Sequence, residues 1–344
     1  MRDEQAGPTL TQGESSGGSA AGPGSAPGPT SRPGSGGLAA GIGAYLLWGG
    51  LPLYFPLLQP SGAVEIIAHR VVWSLLFCLV LLAVTRSWAP FAVLLRQPRT
   101  LATLGVAAVL LAVNWLVFVY GVLSDQVVDA ALGYFINPLV TVALAVGLLH
   151  ERLRRVQWAA LALGTAAVLV ISIGYGRVPW IALALAGSFA LYGFIKKQVG
   201  RSVAAAPGLA AETLVLTPLA LAYLVWLQVT GTGSFTTHGG WHAAALASAG
   251  VVTAVPLLLF NSAARRLPLS VVGMLQYLTP VLQFLTGVLL LHEHMAPARW
   301  WGFALVWLAL VVLAVDGLHH RRTQVLEARA AVDAAGDSEA VAEG

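Results

Sequence analysis

From residue 38 to residue 316 the chain alternates long apolar runs with short, more polar breaks. Crossing a bilayer as a helix takes about 20 consecutive apolar residues. Ten runs approach that length: 38–58, 66–85, 101–122, 128–149, 156–173, 179–195, 208–228, 242–262, 270–291 and 298–315. Lipid offers no partner to a backbone N–H or C=O, so such runs must close their hydrogen bonds internally, as helices. The expected fold is therefore an all-α polytopic membrane protein with ten transmembrane helices. Composition agrees, with 57% of residues hydrophobic and only 10% charged, against roughly 25% charged in a soluble domain. That balance excludes a cytosolic enzyme, a secreted disulfide scaffold and a nucleic-acid binder, the net charge of +4 notwithstanding. The single cysteine, Cys78, lies inside the second run, so neither an intrachain disulfide nor a cysteine metal site is available.

Residues 1–37 are almost entirely Gly, Ser, Pro, Ala and Thr. A segment this poor in apolar side chains cannot offset its chain entropy and is expected to be a disordered tail. It has no basic stretch leading directly into a short apolar core, so it does not read as a signal peptide. Residues 317–344 form a second polar tail. Cytoplasmic loops of membrane proteins are enriched in Lys and Arg. With the N-terminus inside, 16 of the 19 basic residues fall on the cytoplasmic side, among them Arg86, Arg96, Arg99, Arg154, Lys196 and Lys197. Only Arg70, Arg177 and Arg299 fall at the outer side, so both termini are expected in the cytoplasm.

A shift of 142 residues lays the fourth run on the ninth without a gap. Pro138 meets Pro280, Val146 meets Val288, the four residues 148–151 (LLHE) meet 290–293 (LLHE), and Trp158 meets Trp300. Upstream, Phe118 meets Phe260 at the same offset. Leucine-rich helices match by chance at Leu and Val, but hardly at Pro, His-Glu and Trp in register. The offset covers five runs, an odd number, so the second copy is expected upside down relative to the first. The halves are residues 38–173 and 179–315. Inverted five-helix repeats are an architecture of secondary carriers with a midplane substrate site, although some channels also contain them.

Four segments resemble a known family: Tyr45 to Gly49 (YLLWG), Glu65 to Ser74 (EIIAHRVVWS), Asn114-Trp115, and Gly133 to Leu139 (GYFINPL). They are similar to the EamA-type transporters of the drug/metabolite superfamily, and the resemblance covers about residues 38–316. It implies a ten-helix carrier of small organic solutes in the plasma membrane. It supplies no substrate.

Asn137 lies nine residues inside the fourth run, about 13 Å deep at roughly 1.5 Å per residue, and Thr279 is at the matching depth of the ninth. Each precedes a proline, Pro138 or Pro280, which leaves the carbonyl four residues back without its helical donor. Those carbonyls belong to Tyr134 and Gln276, and Tyr277 adds another polar group nearby. The alternative to cavity lining is a structural kink satisfied by a neighbouring helix. Glu65, His69 and Arg70 open the second run, where a buried charge usually faces protein or a water-filled cavity. Glu65 and His69 stand four apart and can pair. Glu212 occupies the corresponding place in the seventh run, at the inner side, after an insertion of five residues in the repeat. These groups serve either the solute or the locking of helices as a gate. Asn114 is either a cavity group or a helix–helix hydrogen bond. Among the aromatics, Trp48, Trp115 and Tyr192 are candidates for the cavity wall rather than the interfacial belt. Lys196-Lys197 is most simply a cytoplasmic anchor.

His150-Glu151 and His292-Glu293-His294 do not form a metal site. The His-Glu-x-x-His spacing is absent, with Arg154 and Ala296 at the decisive positions. Inversion also sends the two pairs to opposite faces, about 30 Å apart. They read as polar helix ends or gates.

The leading expectation is a secondary carrier in which two halves rock about a central site. No phosphate-binding loop is present, and Glu65, His69 and Glu212 are the groups in the membrane region able to couple transport to protons. Other classes are an intramembrane enzyme, which would need a nucleophile with a buried base, and a non-transporting receptor or assembly protein. The expected partners are a small-molecule solute and the lipid bilayer, with no cofactor, metal or nucleic acid; the oligomeric state stays open.

Overall fold

The computed structural model describes residues 35–149, 153–199, 203, 205–267, 269–317, 323 and 326. The expectations for residues 1–34, for most of the C-terminal tail and for His150-Glu151 lie outside these residues. The first run is broken: α1 (Ser35–Gly49) gives way at Gly50 to α2 (Leu51–Tyr54) and a 3-10 turn, Phe55–Leu58. The two arms meet at 43°. Pro52 and Pro56 explain the bend, since neither has an N–H for the carbonyl four residues back. The second run is α3 (Ala63–Val84), followed by a short helix, α4 (Trp88–Leu95). The sequence did not announce α4, but Phe91 and Leu94 pin it against Cys78, Leu82, Leu104, Ala210 and Ala211.

The next runs are α5 (Pro98–Leu123), α6 (Val127–Leu149), α7 (Arg155–Tyr175), α8 (Trp180–Val199), α9 (Ala205–Thr230) and α10 (Gly239–Arg266). The ninth is divided. α11 (Leu269–Leu275) ends in a turn at Gln276-Tyr277, α12 (Leu278–Leu285) follows, and a π-helical stretch, Thr286–Leu290, completes it. The last helix is α13, Pro297–Gly317. Eight helices of the described residues are long and apolar enough to cross a bilayer; the bent α1–α2 pair and the shorter apolar helix Trp180–Lys196 occupy the other two runs. The chain is all-helical among the described residues, with the segments where the apolar runs lie.

The matched prolines behave differently. Pro280 sits in the first turn of α12, where N–H groups have no helical partner anyway, and the preceding turn includes Gln276, the residue whose carbonyl it strands. Pro138 lies within the unbroken α6.

Packing follows the repeat. α8 runs along α5 and α6, whereas α1 runs along α10 and α12. Exchanging the sixth, third and fourth runs for the first, eighth and ninth turns one trio into the other. α3 against α9, and α6 against α12, pack across that exchange. At two interhelical contacts it is neighbouring backbone that leaves no room for a side chain. A Cβ on Gly250 of α10 would stand 2.4 Å from the Trp73 carbonyl carbon of α3, and one on Gly133 of α6 would stand 2.8 Å from the Ala182 carbonyl oxygen of α8.

Candidate functional site

Between the two trios lies a cavity of about 240 Å³. Equivalent positions of the two halves line it. At the 142-residue offset, Leu111 and Thr253, Trp115 and Leu257, Phe118 and Phe260, Tyr134 and Gln276, and Asn137 and Thr279 all face it. Tyr45, Trp48 and Leu51 from the first run, Phe189 and Tyr192 from α8, and Arg70, Pro280, Asn114 and Gln283 complete the wall.

Aromatic rings form two banks. Tyr45, Trp48 and Phe260 meet with centroids 5.4–6.1 Å apart. Phe118, Tyr134, Phe189 and Tyr192 form a second chain of rings with successive spacings of 5.8, 6.1 and 6.0 Å. Edge-to-face and tilted pairs of this kind hold their rings in place.

The polar groups divide into engaged and free. Asn114 is engaged: its Nδ2 donates to the Leu185 carbonyl and Ser188 Oγ, both at 3.0 Å, and its Oδ1 accepts from Tyr134 Oη at 3.1 Å. It therefore ties α5, α6 and α8 together. Thr279 Oγ1 donates to the Tyr45 carbonyl at 3.0 Å, and Gln283 Nε2 donates at 3.3 Å to the Trp48 carbonyl, the one that Pro52 strands. By contrast Asn137 Oδ1, Gln283 Oε1 and Arg70 Nη1 are buried without a hydrogen-bond partner. Arg70, only 4% exposed, is steered by Thr253, whose Oγ1 accepts from Nε at 2.6 Å. Its guanidinium lies 4.2 Å from the Trp115 ring centroid and 5.8 Å from that of Phe55.

Five residues singled out in the sequence are not among the cavity wall: Glu65, His69, Pro138, Glu212 and Tyr277. Glu65 and His69 do not pair with each other. The loop between α9 and α10 folds over the start of α3, and Glu65 Oε1 accepts from Ser234 N at 2.7 Å and Ser234 Oγ at 2.9 Å. His69 instead stacks on Phe235, with ring centroids 4.7 Å apart. His242 Nε2 joins the same knot, 2.9 Å from Ser61 Oγ and 3.0 Å from Ser234 Oγ. Glu212 is ion-paired with Lys196, which also lies over the Tyr192 ring. Lys196 is thus a buried acid's counterion as well as a basic residue at a helix end. Tyr277 packs at the border of the core around Phe284 and Phe303.

A second clasp lies on the face that bears Glu293. This residue, between the ninth and tenth runs, accepts from the Val127 N–H and, at 3.0 Å, from the Val128 N–H, so it caps α6. Asp129 in the same first turn pairs with Arg299 Nη2 at 3.1 Å. Burial pushes the Glu293 carboxyl above its ordinary pKa, and the two backbone donors draw it back only in part. Among the described residues no cluster of three or more His, Cys, Asp or Glu could hold a metal ion.

An all-helical membrane chain with matched halves around an aromatic-walled cavity has the build of a membrane transporter. The family model described as "EamA-like transporter family" matches the chain twice, at residues 35–173 and 178–315, and the chain belongs to that family. It is 53% identical to Protein RarD of Streptomyces exfoliatus over 83% of this chain and 90% of that one. It is 40% identical to Protein RarD of Escherichia coli (strain K12), over 83% and 96% respectively. A solved crystal structure shares the fold at a TM-score of 0.54 and 19% identity, covering 83% of this chain and 99% of its own. The chain is therefore a multi-pass membrane transporter of the drug/metabolite superfamily.

Proposed function

We propose that this transporter is a secondary carrier of small organic solutes, and that the cavity between the two trios is its solute site. The observation that carries the reading is the wall itself: equivalent positions of both halves meet around one space, and three residues of its wall, Arg70, Asn137 and Gln283, each carry a buried polar atom without a hydrogen-bond partner. A polar group left unpaired in an apolar surrounding is costly, so such groups are expected to find their partners in water or solute. Alternating access needs a site reachable from each face in turn. The Glu65–Ser234–His242 knot and the Glu293 clasp would be the fastenings at the outer face, given the orientation expected from the basic residues. Ten crossings with both termini in the cytoplasm complete this reading. Glu65 and Glu212, both buried and both hydrogen-bonded, are the carboxylates available for proton coupling.

The test is solute counterflow in proteoliposomes of the purified protein, against a panel of organic acids, amines, neutral amides and alcohols. Accumulation of any panel member above that in empty liposomes supports a carrier. Conductive, non-saturating flux would identify a channel, and absence of flux across the panel would leave a receptor or assembly role in its place.

A further inference from the structure

Among the described residues Arg70 is the one charged side chain on the cavity wall, and no Asp or Glu lines it. A charge in a low-dielectric surrounding needs compensation. Thr253 and the ring of Trp115 hold the guanidinium in place, but neither carries a negative charge. A cation over an aromatic face is attracted to it, which only partly offsets burial. Nη1, without a partner, is a donor waiting for an acceptor. An ionised carboxylate supplies both the acceptor and the neutralising charge, and it suits the planar fork of guanidinium better than any other common organic group.

The remaining wall defines the rest of the ligand. Asn137 Oδ1 and Gln283 Oε1 are acceptors without donors, so the solute should carry a hydroxyl or an N–H away from its acid group. The two aromatic banks suit an apolar or aromatic skeleton. At about 240 Å³ the cavity falls just below the roughly 300–1,000 Å³ of drug-sized sites, which limits the skeleton to one ring and a short chain. A monoanion brings the cavity to electrical neutrality with Arg70. A zwitterion would leave its ammonium without a carboxylate, and a cation would face Arg70 directly.

Resting on the carrier reading above, we infer that the cavity binds a small organic monoanion: a carboxylate on Arg70, with a neutral hydrogen-bond donor toward Asn137 and Gln283. A matched series tests it: phenyllactate (anion), phenyllactamide (neutral), phenylalaninol (cation) and phenylalanine (zwitterion), titrated calorimetrically into the full chain in lipid nanodiscs. Phenyllactate should bind at least tenfold more tightly than each of the others. Arg70→Gln should weaken phenyllactate roughly ten- to hundredfold, the range for a hydrogen bond to a charged group, while leaving phenyllactamide unchanged. Arg70→Lys, which keeps the charge but loses the fork, should fall between. If Arg70→Gln does not fold, the wild-type ranking and Arg70→Lys still decide the matter. Equal or tighter binding of phenylalanine or phenylalaninol overturns the assignment, as does binding of none of the four. Calorimetric binding of phenyllactate without its uptake into proteoliposomes would support the ligand class and refute the carrier reading.

Discussion

Two asparagines that look alike in the sequence should part company when each is replaced by leucine. Asn114 makes three hydrogen bonds at 3.0, 3.0 and 3.1 Å, to Leu185, Ser188 and Tyr134. Interhelical hydrogen bonds in a membrane protein average about 0.6 kcal/mol each, so Asn114→Leu should cost about 2 kcal/mol. It also leaves the Tyr134 hydroxyl without its acceptor, which pushes the loss upward. Asn137 is also buried, at 7% exposed against 1% for Asn114, but its Oδ1 has no partner. Removing an unsatisfied buried group recovers some of the roughly 1–3 kcal/mol that it costs, so Asn137→Leu should be at least as stable as the parent. Reversible unfolding in mixed detergent micelles with increasing SDS reads the difference directly. About 2 kcal/mol separates the variants, roughly a thirtyfold change in the folding equilibrium. Counterflow should show the reverse order of damage per unit of stability, with Asn137→Leu well folded but impaired. An Asn137→Leu protein that loses as much stability as Asn114→Leu would refute the division into structural and cavity amides.

Glu293 tests the clasp. Glu293→Ala should cost about 1–2 kcal/mol, from the lost cap on the Val127 and Val128 N–H groups. Because the folded-state pKa of Glu293 is raised, its contribution is fully present below the ordinary carboxyl value and declines as pH rises through the raised one. Glu293→Gln should abolish that slope in the pH profile of unfolding, and an unchanged slope would contradict the assignment. Lys196→Met should destabilise by about 1–3 kcal/mol, less than a fully buried pair would because the lysine is 38% exposed. The double variant with Glu212→Gln should recover most of that loss in the same unfolding assay. In a Cys78→Ala background, a cysteine replacing the exposed Arg96 should react with an impermeant maleimide only from the cytoplasmic side; labelling of intact cells from outside would reverse the topology.

Hydropathy was enough to locate the helices, because nothing but a helix is tolerated by lipid. It could not resolve the bend at Gly50 or the break at Gln276-Tyr277, since proline is compatible with both a kinked helix and an unbroken one. Pro138 and Pro280 illustrate this, with the same residue at the same depth and two outcomes. Polarity at mid-depth brought out Asn137, Thr279 and Gln276, and a charge near the outer end of the second run brought out Arg70; all four are on the cavity wall. Thr253, Leu257 and Gln283 escaped notice, yet the signal was present. Thr253 and Leu257 stand 142 residues beyond Leu111 and Trp115, and Gln283 lies one turn beyond Thr279. Glu65, His69 and Glu212 were harder to read. Their partners Ser234, Phe235 and Lys196 come from distant or differently oriented segments, and no local spacing reports such contacts.

The packing of α8 and α1 bears on how such a chain can be divided. α8 belongs by sequence to the second half but lies along α5 and α6 of the first, and α1 of the first half lies along α10 and α12 of the second. Each half has lent a helix to the other. A polypeptide ending between α7 and α8 would leave the Gly133 groove open and the Asn114 amide without Leu185 and Ser188, so neither fragment should survive alone. Co-expressed, residues 1–177 and 178–344 should reassemble into a protein that unfolds as one, whereas each fragment expressed singly should be degraded. In the proposed carrier the parts expected to tilt are the trio of α5, α6 and α8 against the trio of α1, α10 and α11–α12, each assembled from both halves of the sequence.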